Sequence, residues 1–434
     1  MNINFYKKYY GLLLSTIDLI ALYLSLLLIV IFRFQGQMSS EVINDHLIAF
    51  SPLILLSIFL YFINNLYDYG FQLKRIDFMA FLGRIQLFWL LIGIIYFYIM
   101  PIGITPKTNL LLFWILASIF IYFNHALLQK KNILEKINIL LLSNSDSALE
   151  IQKMVNNNSA YGLKIFIYPD TVNIDHIKDF VIQNKIQTIV IQSDKISTQK
   201  LYPLLFENVN FQTFETFYET IFQKVSTDTI DHTWLLATIN PKQYLPTYLI
   251  KRLSDLFFGL VLLIITLPFW LIVIILIKST SPGPIFYLSK RRGKNGKIIT
   301  LYKFRTMEMN ARLNGPAWTM PNDKRITFIG RILRQLYIDE WPQFINILHG
   351  DISFVGPRPE EIELANTFQQ NINFYNIRHL VTPGLTGWAQ INQKNTHSID
   401  EAKEKLKYDL YYLKHYSIWF DLYIIVKTFR IPFI

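Results

Sequence analysis

Four apolar runs of bilayer-spanning length fill the first 130 residues of this chain and constrain its fold more than any other feature. They cover Leu12–Phe32, Leu47–Tyr67, Phe81–Met100 and Asn109–Leu128, each close to the ~20 residues a helix needs to cross a hydrocarbon core. No water is there to satisfy backbone polar groups, so such runs are expected to be helical. Lys7, Lys8, Lys74, Arg75, Arg84, Lys130 and Lys131 flank them on one side, and only Arg33 and Lys107 on the other. By the positive-inside bias, residues 1–132 are expected to form a four-helix transmembrane bundle with both ends in the cytoplasm. Asp18 lies inside the first run, about one turn from its cytoplasmic end. An intramembrane acid is a functional candidate by default, but this position favours a structural or snorkelling role.

The composition agrees. Hydrophobic residues make up 52% of the 434 and charged residues 17%, too apolar for an ordinary soluble globule. Cysteine is absent, which excludes disulfides, thiolate nucleophiles and Cys-based zinc or iron–sulfur sites. The net charge of +11 reads either as juxtamembrane Lys and Arg facing anionic lipid or as a polyanion site. Nucleic acid is a poor partner, because the basic residues flank apolar segments instead of forming one stripe. No cleavable signal is evident, since the first apolar run is long enough to stay in the bilayer.

From 133 to 240 the pattern changes. Ile137–Leu142, Lys164–Tyr168 and Thr188–Gln192 are short apolar runs of strand length, separated by helical patterns at Ala148–Asn156 and His176–Asn184. The alternation predicts a small parallel-sheet α/β domain. Its first strand runs into Leu142-Ser143-Asn144-Ser145-Asp146-Ser147, with none of the glycines that bring a backbone up to a dinucleotide pyrophosphate. A regulatory or assembly role is expected in place of nucleotide binding.

Leu256–Ile277 is again free of charge, but Pro268 sits in its middle and removes a helix hydrogen bond. Lys251 and Arg252 precede it; Lys278, Lys290, Arg291, Arg292, Lys294 and Lys297 follow. A span should be basic mainly at its cytoplasmic end, and each arm of ~10–12 residues is too short to cross alone. Residues 247–279 therefore read as a re-entrant hairpin; a kinked fifth span would strand the following domain outside the cell.

Residues 280–434 carry the chemistry. Arg331–Pro359 reads RILRQLYIDEWPQFINILHGDISFVGPRP, setting Asp339 and Glu340 between Arg334 and Gly356-Pro357-Arg358-Pro359. Carboxylates can hold a metal or attack phosphorus, and guanidinium groups grip phosphate oxygens in a fork. Alone, the acidic pair before Trp341-Pro342 is an ordinary helix start. Lys303 and Arg305, in Tyr302-Lys303-Phe304-Arg305-Thr306-Met307, would share one face of a strand, and Arg291 is a third basic candidate. His349, His379, His397 and His415 lack paired metal-ligand spacing. Tyr408, Tyr411, Tyr412, Tyr416, Trp419, Phe420 and Tyr423, mixed with Lys407, Lys414, Lys427 and Arg430, suit interfacial helices in the headgroup layer, or ordinary core aromatics.

Taken in order, these motifs resemble the bacterial sugar transferase family, the monotopic polyprenyl-phosphate phosphoglycosyl transferases. The resemblance runs from Tyr248 to the C-terminus through Lys251-Arg252, the proline-broken segment, Ser281-Pro282-Gly283-Pro284-Ile285-Phe286, Tyr302 to Met307, the Asp339-Glu340 segment, and Pro383 to Gln390. The upstream spans and degenerate Rossmann-like domain are similar to the large members of the family. The resemblance implies a mainly helical catalytic domain at the cytoplasmic face of a bacterial inner membrane. It implies transfer of a sugar-1-phosphate from a UDP-sugar to undecaprenyl phosphate, with release of UMP, at the start of exopolysaccharide, capsule or O-antigen synthesis. Asp339 would be the nucleophile of a covalent phosphosugar intermediate. Glu340 would help hold Mg²⁺ with Asp339 or act as a base, and the cation would offset like-charge repulsion. Arg334 and Arg358 match phosphate-binding arginines, and Lys303, Arg305 and Arg291 match basic residues around them. A homo-oligomer is compatible with this reading. The chain departs from the family at Asn392-Gln393-Lys394, where an Asn-Gly-Arg type of sequence is usual, and at Tyr337-Ile338, where Ser-Leu is commoner. The rival readings are a nucleotide-sugar epimerase or dehydratase, and a non-catalytic scaffold of polysaccharide assembly.

Overall fold

The computed structural model describes residues 3–34, 39–68, 75–100, 107–130, 137–143, 146–157, 162–168, 174–192, 201–207, 209–227, 230–239, 244–309, 323–393 and 398–429. The four N-terminal runs are helices: α1 (Ile3–Arg33), α2 (Ser40–Ile63), α3 (Arg75–Ile99) and α4 (Lys107–Lys130). They share an apolar core that includes Leu22, Phe50, Ile54, Trp89, Phe113 and Ile121. Leu28, Leu55, Leu91 and Phe123 face outward, the reverse of a soluble bundle and the pattern of a membrane protein. Asp18 does not snorkel. It is fully buried, 2.9 Å from His125 Nε2, and it accepts a bond from Asn124 Nδ2, so it ties α1 to α4.

The alternation that follows gives β1 (Ile137–Leu142), α5 (Asp146–Asn157), β2 (Leu163–Tyr168), α6 (Ile174–Gln183) and β3 (Thr188–Ile191). A fourth strand, β4 (Asn210–Thr213), carries no apolar run and was not foreseen; it leads into α7 (Phe214–Phe222). The sheet is parallel, in the order β2-β1-β3-β4. Ser143 Oγ donates to Gln192 Oε1 across the ends of β1 and β3. The glycine-free turn at 144 and 145, like Lys394, lies outside the described residues.

The chain divides into two compact units, one running to Ile221 and the other from Phe222. The expected α/β boundary at 240 is therefore about a helix too late. Val225, Ile230, Leu235 and Ile239, around α8 (His232–Thr238), share a core with Tyr375, Trp388 and Leu410 of the second unit. Backbone bonds also pin the segment there, Val225 N to Lys407 O and Trp388 Nε1 to Gln223 O.

The expected hairpin is, in this structure, one helix, α9 (Tyr244–Thr280), with Pro268 inside it. Its buried positions, Lys251, Asp255, Gly259, Thr266, Trp270, Val273 and Ile277, recur at helical spacing and form a single stripe. The stripe packs on the second unit along its whole length. Arg252 donates to Ile347 O and Leu348 O near one end, while Trp270, Val273 and Ile277 meet Phe304 and Leu333 near the other. The remaining surface, including Leu253, Phe257, Leu260, Ile264, Leu267, Leu271 and Ile275, is exposed and apolar. Five described helices, α9 among them, are long and apolar enough to cross a membrane.

Beyond α9 come the antiparallel pair β5 (Phe286–Arg292) and β6 (Ile298–Phe304), then α10 (Phe328–Gln335) and α11 (Gln343–His349). Next are β7 (Ser353–Val355), α12 (Ile362–Asn371), β8 (Gly384–Thr386), α13 (Trp388–Asn392), α14 (Ile399–Lys414) and α15 (Ile418–Thr428). The C-terminal aromatics do not form a lipid-facing stripe, as interfacial helices would require. Tyr411, Phe420 and Tyr423 surround Trp388, and Tyr412 is buried with its hydroxyl on Asp421. Of the seven aromatics, Trp419 is the exposed one, at 78%.

Candidate active site

The acidic pair sits on one tight turn. Thr327 caps α10, its Oγ1 accepting from Gly330 N. Gly330 then lies so close to the segment just after β6, past Phe304, that a Cβ there would come within 2.0 Å of Thr306 O. Arg334, on the last turn of α10, donates through Nε to Thr306 Oγ1 at 2.8 Å. Tyr337 follows in the left-handed region, φ 57°, an uncommon conformation for a side chain of that size. It reverses the chain into the 3₁₀ turn Ile338–Glu340, which carries Asp339 and Glu340 to the end of β6.

Lys303 and Arg358 meet there. Glu340 Oε1 accepts from Lys303 Nζ and from Arg358 Nη2, each at 2.6 Å. Burial alone would raise the Glu340 carboxyl. The charges of and bonds from Arg358 and Lys303 outweigh it and hold the group far below the usual carboxylate range. The charge of Glu340 in turn pushes Arg358 up. Asp339 behaves oppositely. It is 8% exposed and has no hydrogen bond or ion pair among the described residues. Burial, then the neighbouring Glu340 charge, push it up to about 6, against the pull of Lys303, Arg334 and Arg358. Two adjacent carboxylates thus differ sharply, one locked as an anion and one poised near neutrality, as at many catalytic sites.

Arg358 is placed by its backbone. β7 and β8 pair in parallel, Ser353 with Gly384 and Val355 with Thr386. Gly356 and Gly384 touch so closely that a Cβ on Gly384 would lie 2.0 Å from Gly356 N. From the β7 end onward the carbonyls are gripped in turn. Lys251 Nζ donates to Val355 O, Arg378 Nη2 to Arg358 O, Arg291 Nη1 to Pro359 O, and Arg292 N to Glu360 O. Lys251 also holds Asp421 and Tyr412, while Asp255 accepts from Phe354 N. In this way α9 fixes the strand that leads into Arg358.

The structure therefore brings Asp339, Glu340, Lys303, Arg334 and Arg358 together, but not all the basic candidates. Arg305 lies past the end of β6, where strand alternation no longer places it beside Lys303. Its Nη2 donates to Ser281 O and Oγ, clamping the Ser281-Pro282-Gly283 turn. Arg291 is engaged by Glu361, Ser289 and Pro359 and braces the Arg358 loop from behind. Sequence reasoning missed Arg378. It is 2% exposed and bonded to Asp409, Tyr375 and the Arg358 carbonyl. It also missed the Lys405–Glu360 pair beside it. No spacing signal marks such pairs, because their members are far apart in the chain.

Among the described residues no cluster of three or more His, Asp or Glu is arranged to hold a metal by itself. The acidic pair nevertheless fits a hard divalent cation. Both cationic donors use Oε1 of Glu340, which leaves Oε2 and both Asp339 oxygens as donors. Mg²⁺ typically takes one or two carboxylates, with water and substrate phosphate completing the shell.

The family model for bacterial sugar transferases matches residues 246–433. A Rhizobium leguminosarum exopolysaccharide production protein is 40% identical over 185 residues, 41% of this chain and 92% of that protein. The chain belongs to the bacterial sugar transferase family. An Aeromonas hydrophila UDP-N-acetylgalactosamine-undecaprenyl-phosphate N-acetylgalactosaminephosphotransferase is 38% identical over 213 residues, 49% of each chain. An Escherichia coli UDP-glucose:undecaprenyl-phosphate glucose-1-phosphate transferase is 37% identical over 182 residues, 42% of this chain and 39% of that one. The chain thus spans half or less of the length of these two relatives in the matched stretch. The family-model match, residues 246–433, holds every site residue described above.

Proposed function

We propose that this sugar transferase moves a sugar-1-phosphate from a UDP-sugar to undecaprenyl phosphate, releasing UMP, and so starts a surface polysaccharide. The observation that carries the reading is Asp339, a buried carboxylate without a hydrogen-bonding partner among the described residues, beside Lys303, Arg334 and Arg358. A carboxylate left unbonded in a cationic setting is available as a nucleophile, and the cations suit the phosphate oxygens it must approach.

In the first half-reaction an Asp339 oxygen forms a bond to the sugar-bearing phosphorus, and the bond from that phosphorus to the bridging oxygen breaks. UMP leaves with the electron pair. In the second, an oxygen of undecaprenyl phosphate attacks the same phosphorus and Asp339 leaves as carboxylate. The attacking phosphate is already an anion, so no base is needed. Glu340, held deprotonated by two cations, is a poor base and serves by charge. Bound through Asp339 and Glu340, Mg²⁺ would supply charge neutralisation at the phosphates. Arg305 and Arg291 act indirectly, by fixing the Ser281 turn and the Arg358 loop.

The same parts support a membrane placement for the site. Lys251 near one end of α9 and Ile277 near the other both pack on the catalytic domain, which supports a helix that enters and leaves by one face, a re-entrant arrangement bent at Pro268. With α1 to α4 crossing the inner membrane and both their ends cytoplasmic, Asp339 works at the cytoplasmic headgroup plane. The α/β domain takes a regulatory or assembly role. A panel of UDP-sugars with undecaprenyl phosphate, scored by UMP release from nanodisc-embedded protein, tests the reading. UMP release that requires the lipid phosphate supports it; epimerised or dehydrated sugar without UMP would overturn it.

A further inference from the structure

One carboxylate oxygen, Glu340 Oε1, takes both the Lys303 ammonium and the Arg358 guanidinium at 2.6 Å. An oxygen shared between two cations is the geometry in which these groups would hold a phosphoryl oxygen. Among the described residues Lys303 Nζ has no other hydrogen bond, and the one further hydrogen bond of the Arg358 guanidinium is a long one, Nη1 to Leu385 O at 3.3 Å. The two groups proposed to bind substrate phosphate are therefore already occupied by an internal anion. They remain within reach: the Arg358 side chain is 34% exposed, against 17% for Lys303 and 13% for Glu340.

We propose that Glu340 is an internal stand-in for a substrate phosphate, holding Lys303 and Arg358 in the resting enzyme and surrendering them to the incoming phosphate oxygens. The exchange starts at the open edge of Arg358 and then draws Lys303 across. Without a resident anion, two neighbouring cations in a partly buried site would repel each other and bind any passing phosphate. With one, a ligand must replace an existing bond pair, so a lone phosphate gains little and the nucleoside monophosphate product leaves readily. The same swap frees Glu340 as the phosphates arrive. The inference rests on the transferase reading for the identity of its ligand, but no bond to the sugar or lipid enters it.

Full-length protein in nanodiscs, in EDTA and without lipid acceptor, is titrated calorimetrically with UMP and with inorganic phosphate. Glu340→Gln removes the competing charge, and both ligands should bind about tenfold tighter than to wild type. Adding Lys303→Met to that variant should cancel most of the gain. Glu340→Asp, which keeps the charge on a shorter arm, should fall between, and it preserves the test if the Gln variant folds poorly. Equal or weaker binding in Glu340→Gln, with the thermal unfolding of wild type retained, would overturn the stand-in role, as would tightening that survives loss of Lys303. Tighter UMP binding in Glu340→Gln, with no sugar-phosphate transfer by the wild-type protein, would instead count against the transferase reading alone.

Discussion

Acidification from pH 7 to pH 5 should slow the first half-reaction about tenfold without unfolding the site. Asp339 must be ionised to attack, and burial beside Glu340 lifts it to about 6. About nine-tenths of the groups are then ionised at pH 7 and about one-tenth at pH 5. Glu340 does not blur this limb, because Arg358 and Lys303 hold it ionised far below pH 5. Stability at Asp339 runs the other way. The folded carboxyl lies above its ordinary value of 3.8, so its contribution is full below that value and is lost as the pH rises through about 6. Loss of rate on acidification is therefore not loss of fold at this residue. The assay is a single-turnover burst of UMP without polyprenyl phosphate, whose own second ionisation near pH 6 would confuse the limb. Lys303→Met adds a second check. Lys303 lowers Asp339, so its removal should move the limb to higher pH. A burst rate flat between pH 7 and 5, or a limb that moves to lower pH in Lys303→Met, would refute the reasoning.

Other outcomes follow from the support around the site. Arg378→Met should leave the Asp409 carboxylate buried without its main partner and cost ~3–5 kcal/mol; thermal unfolding should show most of it recovered in Arg378→Met with Asp409→Leu. Gly384→Ala should drive a Cβ into the Gly356 amide, cost ~1–3 kcal/mol, and lower kcat/KM by displacing the Arg358 loop, read by melting and by UMP release. Chelation by EDTA should abolish transfer, and Mg²⁺ should restore it while the melting curve stays in place. Restoration by salt alone would remove the cation from the account.

Local pattern was legible where local physics decides the outcome. The first strand occupies the predicted residues, Ile137–Leu142, because a buried parallel strand needs a continuous apolar run. β4 escaped notice because Asn210–Thr213 has one apolar residue, Phe211, among polar ones and is half exposed at a sheet edge. The acids, Arg334, Lys303 and Arg358 were readable from type and order. Arg305 was misplaced because strand alternation was carried one residue beyond Phe304, where β6 ends. The C-terminal tyrosines were ambiguous for another reason: a ring with a hydroxyl suits a headgroup layer and a core equally, and here Trp388, Asp421 and Lys251 chose the core. Arg378 and Asp409 lie 31 positions apart, and nothing in a single sequence joins them.

The central claim is that Asp339 carries the sugar phosphate. Protein incubated with a UDP-sugar but no lipid acceptor, then acid-quenched and analysed by intact and peptide mass spectrometry, tests it most directly. The account predicts a mass gain of one sugar phosphate on the peptide containing Asp339, its loss on adding undecaprenyl phosphate, and no adduct in Asp339→Asn. Transfer at wild-type rate in Asp339→Asn, or an adduct on any other residue, would contradict it.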